Sequence, residues 1–142
     1  LASAAALYSP EVLGLATLLA RYPLHDDLVL RSTVRSPSCG STLEMGLALD
    51  RGGIARIGLR CHACAIGQAA AAIFAEAAAG RTREEIAVAE REVAFWLAGG
   101  TEPDWPGIGA VARAADYPAR HGAVLLPWRA ALAALPSTAA AR

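Results

Sequence analysis

The sequence has 142 residues, 55% of them hydrophobic, which is the length of one domain and enough apolar side chain to bury a core. Lysine plus arginine and aspartate plus glutamate both number 13, so the formal net charge is zero and no nucleic-acid footprint is expected. There is no lysine, which excludes Schiff-base chemistry. The three cysteines lie close together, which argues against a disulfide framework and for a reducing, cytoplasmic setting.

In chain order, residues 1–7 are apolar but short and have no basic lead, so neither a signal peptide nor a membrane span is expected there. Ser9-Pro10-Glu11 opens a helix: a capping hydroxyl, a proline in the first turn and an acid at the positive end of the dipole. Val12, Leu15, Ala16 and Leu19 keep its apolar face, and Tyr22-Pro23 ends it. Residues 28–35 read as a strand with Leu28, Leu30 and Val34 on one side. Residues 41–50 alternate strictly, placing Leu43, Met45, Leu47 and Leu49 together. Asp50-Arg51-Gly52-Gly53 is a turn, and residues 54–61 alternate again with Ala55, Ile57, Leu59 and Cys61 on one face. Residues 63–79 form a nearly all-apolar helix, closed by Gly80. Thr82-Arg83-Glu84-Glu85 is a capping box that opens a helix with Ile86, Ala89, Val93, Trp96 and Leu97 inward, ending at Gly99-Gly100. A short helix over 107–115, a break at Tyr117-Pro118 and a last amphipathic helix over 121–135 follow, with a frayed tail over 136–142. Trp96, Trp105 and Trp128 are expected in the core. Helix, three antiparallel strands, then several helices packed on them is an α+β order, within a single domain over 1–142.

The hairpin has a chemical consequence. An antiparallel pair brings the start of its first strand beside the end of its second. Cys39 sits just before that start, in a Pro/Gly loop, and Cys61 and Cys64 sit at or just past that end. Cys64 opens a helix, where the dipole favours a thiolate. Cys61 continues the apolar face of its strand, as a buried structural cysteine does, yet with Cys64 it forms a C-x-x-C that could clip a metal or act as a redox pair. His62 is expected in solvent, and His25 has no partner in sequence.

Three blocks, Ser36-Pro37-Ser38-Cys39-Gly40, Cys64-Ala65-Ile66 and Tyr117-Pro118-Ala119-Arg120 ahead of Leu126 and Trp128, resemble the signatures of the IscU/SufU/NifU-type iron–sulfur cluster scaffold family. The long spacing from Cys64 to the last block is most similar to the SufU branch. The resemblance implies a three-stranded antiparallel sheet covered by helices (the IscU/SufE-like fold), a non-enzymatic scaffold, and cluster ligation by Cys39 and Cys64. It implies a cysteine desulfurase as sulfur donor and apo iron–sulfur proteins as clients, with no membrane partner. The chain departs from the pattern at two family ligand positions. Ser41 stands where the family has aspartate, and Ala123 where it has a third cysteine.

Two thiols per chain suggest a 2Fe–2S cluster shared by a homodimer, as a four-cysteine site. A site within one chain, for zinc or iron, is expected to use Cys39, Cys64 and His121, with Cys61 or water as the fourth ligand. The alternatives are a thiol or persulfide acceptor working through Cys61 and Cys64, and a metal-free paralogue that docks onto the assembly machinery.

Overall fold

Period-two patterning decides the centre of the molecule. Strands β1 (Leu30–Arg35), β2 (Thr42–Asp50) and β3 (Gly53–His62) form one antiparallel sheet in that order. The structure is a computed structural model that describes residues 7–137. Most of the N-terminal apolar stretch (1–6) and of the expected frayed tail (138–142) therefore lies outside the described residues. In β2, at the centre, Leu43, Met45 and Leu47 are fully buried. Their register partners Cys61, Leu59 and Ile57 extend the same face across β3.

Near the turn the expected alternation fails. The register slips between Ala48 and Leu49, so Ala48 pairs with Arg56 and Leu49 with Ile54. Ile54 turns inward, whereas Leu49 and Ala55, both expected on the core face, are exposed. A bulge inserts one residue, and a one-residue shift exchanges the two faces of everything beyond it. β1 also starts later than its β-rich run. Leu28 is buried outside the strand, against the opposite face of the sheet, where Gly46 pairs with Gly58. A Cβ on Gly58 would lie 2.5 Å from the carbonyl oxygen of Pro23, so glycine is required where the 23–28 segment crosses that face.

The helices cover the core face. α1 (Pro10–Thr17) is capped by Ser9, whose Oγ accepts from the Val12 amide at 3.2 Å, and it tightens into a 3-10 turn before Tyr22. α2 (Ala65–Ala77) is buried along most of its length. α3 (Arg83–Leu97) carries the capping box as read, with Glu85 accepting from the Thr82 amide and Thr82 from the Glu85 amide. The segment expected as a helix over 107–115 is a 3-10 stretch, Ile108–Asp116, kinked at Val111. α4 (His121–Ala134) closes the fold. Phe74 of α2, Trp105 and Trp128 of α4 meet with ring centroids 5.3–5.5 Å apart, one pair stacked and two edge-on. Trp105 is held in place by donating Nε1 to the Ile73 carbonyl at 3.0 Å. Among the described residues no helix is long and apolar enough to cross a membrane.

Candidate functional site

Three chain segments converge at the end of the sheet opposite the β2–β3 turn. The first is the tight loop between β1 and β2. Its ends are tied by the Ser36 amide to the Ser41 carbonyl at 2.8 Å, and the Gly40 amide returns to the Ser36 carbonyl at 2.8 Å. Gly40 takes φ +73°, which lets the loop turn back. The second is the start of α2, where Cys64 is the extended N-cap residue. The third is the start of α4. Gly122 lies against the loop so closely that a Cβ there would be 2.3 Å from Ser36 Oγ. Ala123 faces the first turn of α2, 3.5 Å from the place of a Cβ on Gly67. Ser38 Oγ donates to the Ala119 carbonyl at 3.1 Å, fastening loop to α4 lead-in.

The loop is a hydroxyl cradle around one thiol. Cys39 Sγ donates to Ser41 Oγ at 3.1 Å, and Ser36 Oγ lies 3.2 Å from Ser38 Oγ. Ser36 and Ser41 are themselves almost fully buried. Burial pushes the Cys39 thiol up, but hydrogen bonds from Ser36 and Ser41 and the charge of Arg120 outweigh it and hold the thiol below its ordinary value. Cys39 is thus a thiol inclined to ionise, with hydroxyls placed to donate once it does.

Cys61 behaves in the opposite way. It stands in the core-facing register opposite Leu43, and burial, with the nearby Cys64, pushes its thiol up to about 11. β3 continues through His62 and Cys64 is extended, so the C-x-x-C straddles a strand end. It does not lie on the first turn of a helix, where such a pair acts as a redox couple. The raised value has a measurable consequence. Below the ordinary thiol pKa near 9, burying Cys61 as a neutral group costs nothing in charge. Between about pH 9 and 11 the unfolded chain releases a proton that the folded chain keeps, so stability falls as pH rises through that window. Urea midpoints should therefore drop over pH 9–11 in the native sequence and drop less in Cys61→Val. Equal slopes would show that Cys61 titrates freely in the folded state.

His121 begins α4, and its Nε2 donates to the Ala115 carbonyl at 3.0 Å, leaving Nδ1 as its one free ligand atom. Among the described residues, no group of three or more His, Cys, Asp or Glu side chains comes together to hold a metal ion. The expected set of Cys39, Cys64 and His121, with Cys61 as fourth, is not gathered within one chain. The reason is local. His121 is already helical, and its ring turns back to the preceding 3-10 stretch. What sequence reading missed is the hydroxyl pair Ser36 and Ser41 and the cation Arg120. Ser-rich loops are common, and only the fold brings Arg120 to Cys39.

The chain matches no protein-family model and no curated protein. Among solved structures it is similar to the N-terminal part of a nitrogen-fixing NifU-like protein from Brucella abortus, at TM-score 0.81 and 27% identity over 90% of this chain and 91% of that one. It is similar in fold to a protein described as an iron–sulfur cluster assembly scaffold for the SUF system from the thermophile Fervidobacterium islandicum AW-1, at TM-score 0.82 and 20% identity over 94% and 100% of the two chains.

Proposed function

We propose, taking as premise that this chain belongs to the IscU/SufU/NifU-type scaffold family, that it is a divergent scaffold or carrier in iron–sulfur cluster biogenesis. Cys39 receives sulfur, and Cys39 and Cys64 of two chains hold a 2Fe–2S cluster between them. The observation that carries this reading is the Cys39 cradle at the meeting point of the β1–β2 loop, α2 and α4. Sulfur delivery by a cysteine desulfurase needs a thiolate. The Cys39 sulfur attacks the outer sulfur of the donor's persulfide, a new S–S bond forms, and the donor's thiolate leaves. No net oxidation occurs, and Ser41 and Ser36 donate to the anion on either side of the step.

The residues fit a shared cluster better than a single-chain ion. A cluster bound wholly by thiolates needs four, and two chains each supplying Cys39 and Cys64 provide them. A mononuclear zinc or iron site lacks its ligands in one chain. The redox reading through Cys61 and Cys64 is disfavoured because the pair straddles a strand end, with Cys61 in the core-facing register. Delivery to apo-proteins then calls for ligands on loops and helix starts that can be reached from outside, and both thiols are only half-buried.

The test is anaerobic reconstitution with ferrous iron and sulfide, followed by visible absorption and mass in solution. A dimer with sulfide-to-iron charge-transfer bands, lost in Cys39→Ser and in Cys64→Ser but kept in Cys61→Ser, is the expected result. A monomer without such bands sinks the cluster reading, and the metal-free docking paralogue takes its place.

A further inference from the structure

The surface carries a second built feature, remote from the thiols. A cleft of about 440 Å³ runs between the outward side of α3 and the segment Pro103–Trp105. Its Arg81 end is tied to the β2–β3 turn, since the Ile54 amide donates to the Arg81 carbonyl and the Gly80 amide to the Ile54 carbonyl. Cys39 and Cys64 lie at the other end of the sheet. β3 is 10 residues long, so the Arg81 end of the cleft is roughly 30 Å from them along the strand. A partner seated in the cleft leaves both thiols open.

The cleft is acidic and partly apolar. Trp105 anchors one wall through its bond to the Ile73 carbonyl. The Arg81 guanidinium lies 4.4 Å from the Trp105 ring centre and donates Nε to the Ala77 carbonyl at 3.0 Å, so the one cation lining the cleft is spent on the wall itself. Glu92 and Asp104 line the same space, with Glu84 and the capping-box Glu85 at its Arg81 end, in a chain whose overall charge is zero. Between the acids stands Val88, 45% exposed. Two helical turns further along the same side of α3, just beyond the cleft, Phe95 is 64% exposed, more than any other large hydrophobic among the described residues but Val29. A helix side that alternates exposed apolar groups with carboxylates, facing a fixed wall, is complementary to an extended or helical segment that alternates cations with aliphatic groups.

We propose that this cleft docks a basic, partly apolar segment of a partner protein, one that engages the chain while the Cys39 end stays free for cargo. The charge supplies orientation and rate of encounter, and Val88, between the cleft's acids, supplies the apolar contact that separates docking from loose ionic attraction. The inference does not depend on what Cys39 carries.

The probe is a fluorescein-labelled twelve-residue peptide that alternates arginine and leucine, read by anisotropy at 0.15 M salt, with a glutamate-for-arginine peptide as control. The native chain is expected to bind the basic peptide and not the acidic one. Glu92→Arg with Asp104→Arg should weaken binding at least about tenfold, and Val88→Asp by a similar factor; all three positions are exposed, so the fold tolerates the changes. Cys39→Ser should bind as the native chain does. Absence of binding, binding of both peptides, or binding that survives Val88→Asp while responding only to salt would each overturn the proposal.

Discussion

Ser41→Asp together with Ala123→Cys should convert the chain into one that retains about one zinc per chain. The two positions flank the cradle. Ser41 Oγ is the hydrogen-bond partner of Cys39, and Ala123 faces the turn of α2 that Cys64 caps. If Cys39 and Cys64 face one gap, the native sequence adds to those two thiols only a hydroxyl at position 41 and a methyl at position 123. A complete four-ligand structural site is worth about 10–16 kcal/mol, or roughly 3 kcal/mol per ligand, so two restored ligands should raise affinity by roughly 10⁴-fold. Each single substitution should deliver much less. The introduced carboxylate alone is a nearly buried charge, since position 41 is 5% exposed, and it should destabilise the chain until metal is added. Zinc content after gel filtration, with chelator competition for the affinity, checks this. If the double variant binds no better than the native chain, positions 41 and 123 do not surround the Cys39–Cys64 gap, and the shared-cluster reading loses its geometric basis as well.

Trp128→Ala should cost about 3–5 kcal/mol of folding stability, a large share of the roughly 5–15 kcal/mol that a domain of this size has. Trp128 is fully buried and touches both Phe74 and Trp105 edge-on, so it holds α4 to α2 and to the loop that carries Trp105 at once. Removing it leaves a cavity that three separate elements line, which the surroundings cannot close. Trp128→Phe should cost much less. It keeps an aromatic face in the cluster and removes the indole N–H, which is buried with no hydrogen-bond partner among the described residues. Urea unfolding of the two variants separates these outcomes. Equal losses would mean that the indole N–H is satisfied after all. The same cluster sets the start of α4 against the Cys39 loop, so Trp128→Ala should also weaken protection of Cys39 from alkylation before global unfolding.

Much of this molecule was legible from neighbours in sequence. Strict alternation over β2 marks a strand with one buried face, because successive side chains point to opposite sides whatever the tertiary context. Thr82 and Glu85, and Ser9 with Pro10, announce helix starts because the cap bonds span three residues. The hairpin follows from two alternating runs around Asp50–Gly53, and with it the placing of Cys39, Cys61 and Cys64 at one end of the sheet. The family resemblance rested on short blocks in order, and the Brucella structure agrees with it.

What lay beyond the sequence depended on distant groups. Nothing around Ala55 signals a bulge, since alanine is acceptable on either face. Only the pull of Ile54 into the core decides the slip that exposes Leu49. The ring of His121 was a ligand candidate by spacing, but the local choice between an extended lead-in and a helical one sends it to the Ala115 carbonyl. The character of Cys39 was set the same way. A loop of serines reads as solvated until Gly122 closes over Ser36, Ser38 ties to Ala119 and Arg120 arrives from the far end of the chain. Local hydrogen bonding and side-chain period are properties of a few consecutive residues, and the sequence determines them alone. Burial, and the electrostatic environment it creates, is a property of segments some eighty residues apart, and only the packed tertiary structure decides it.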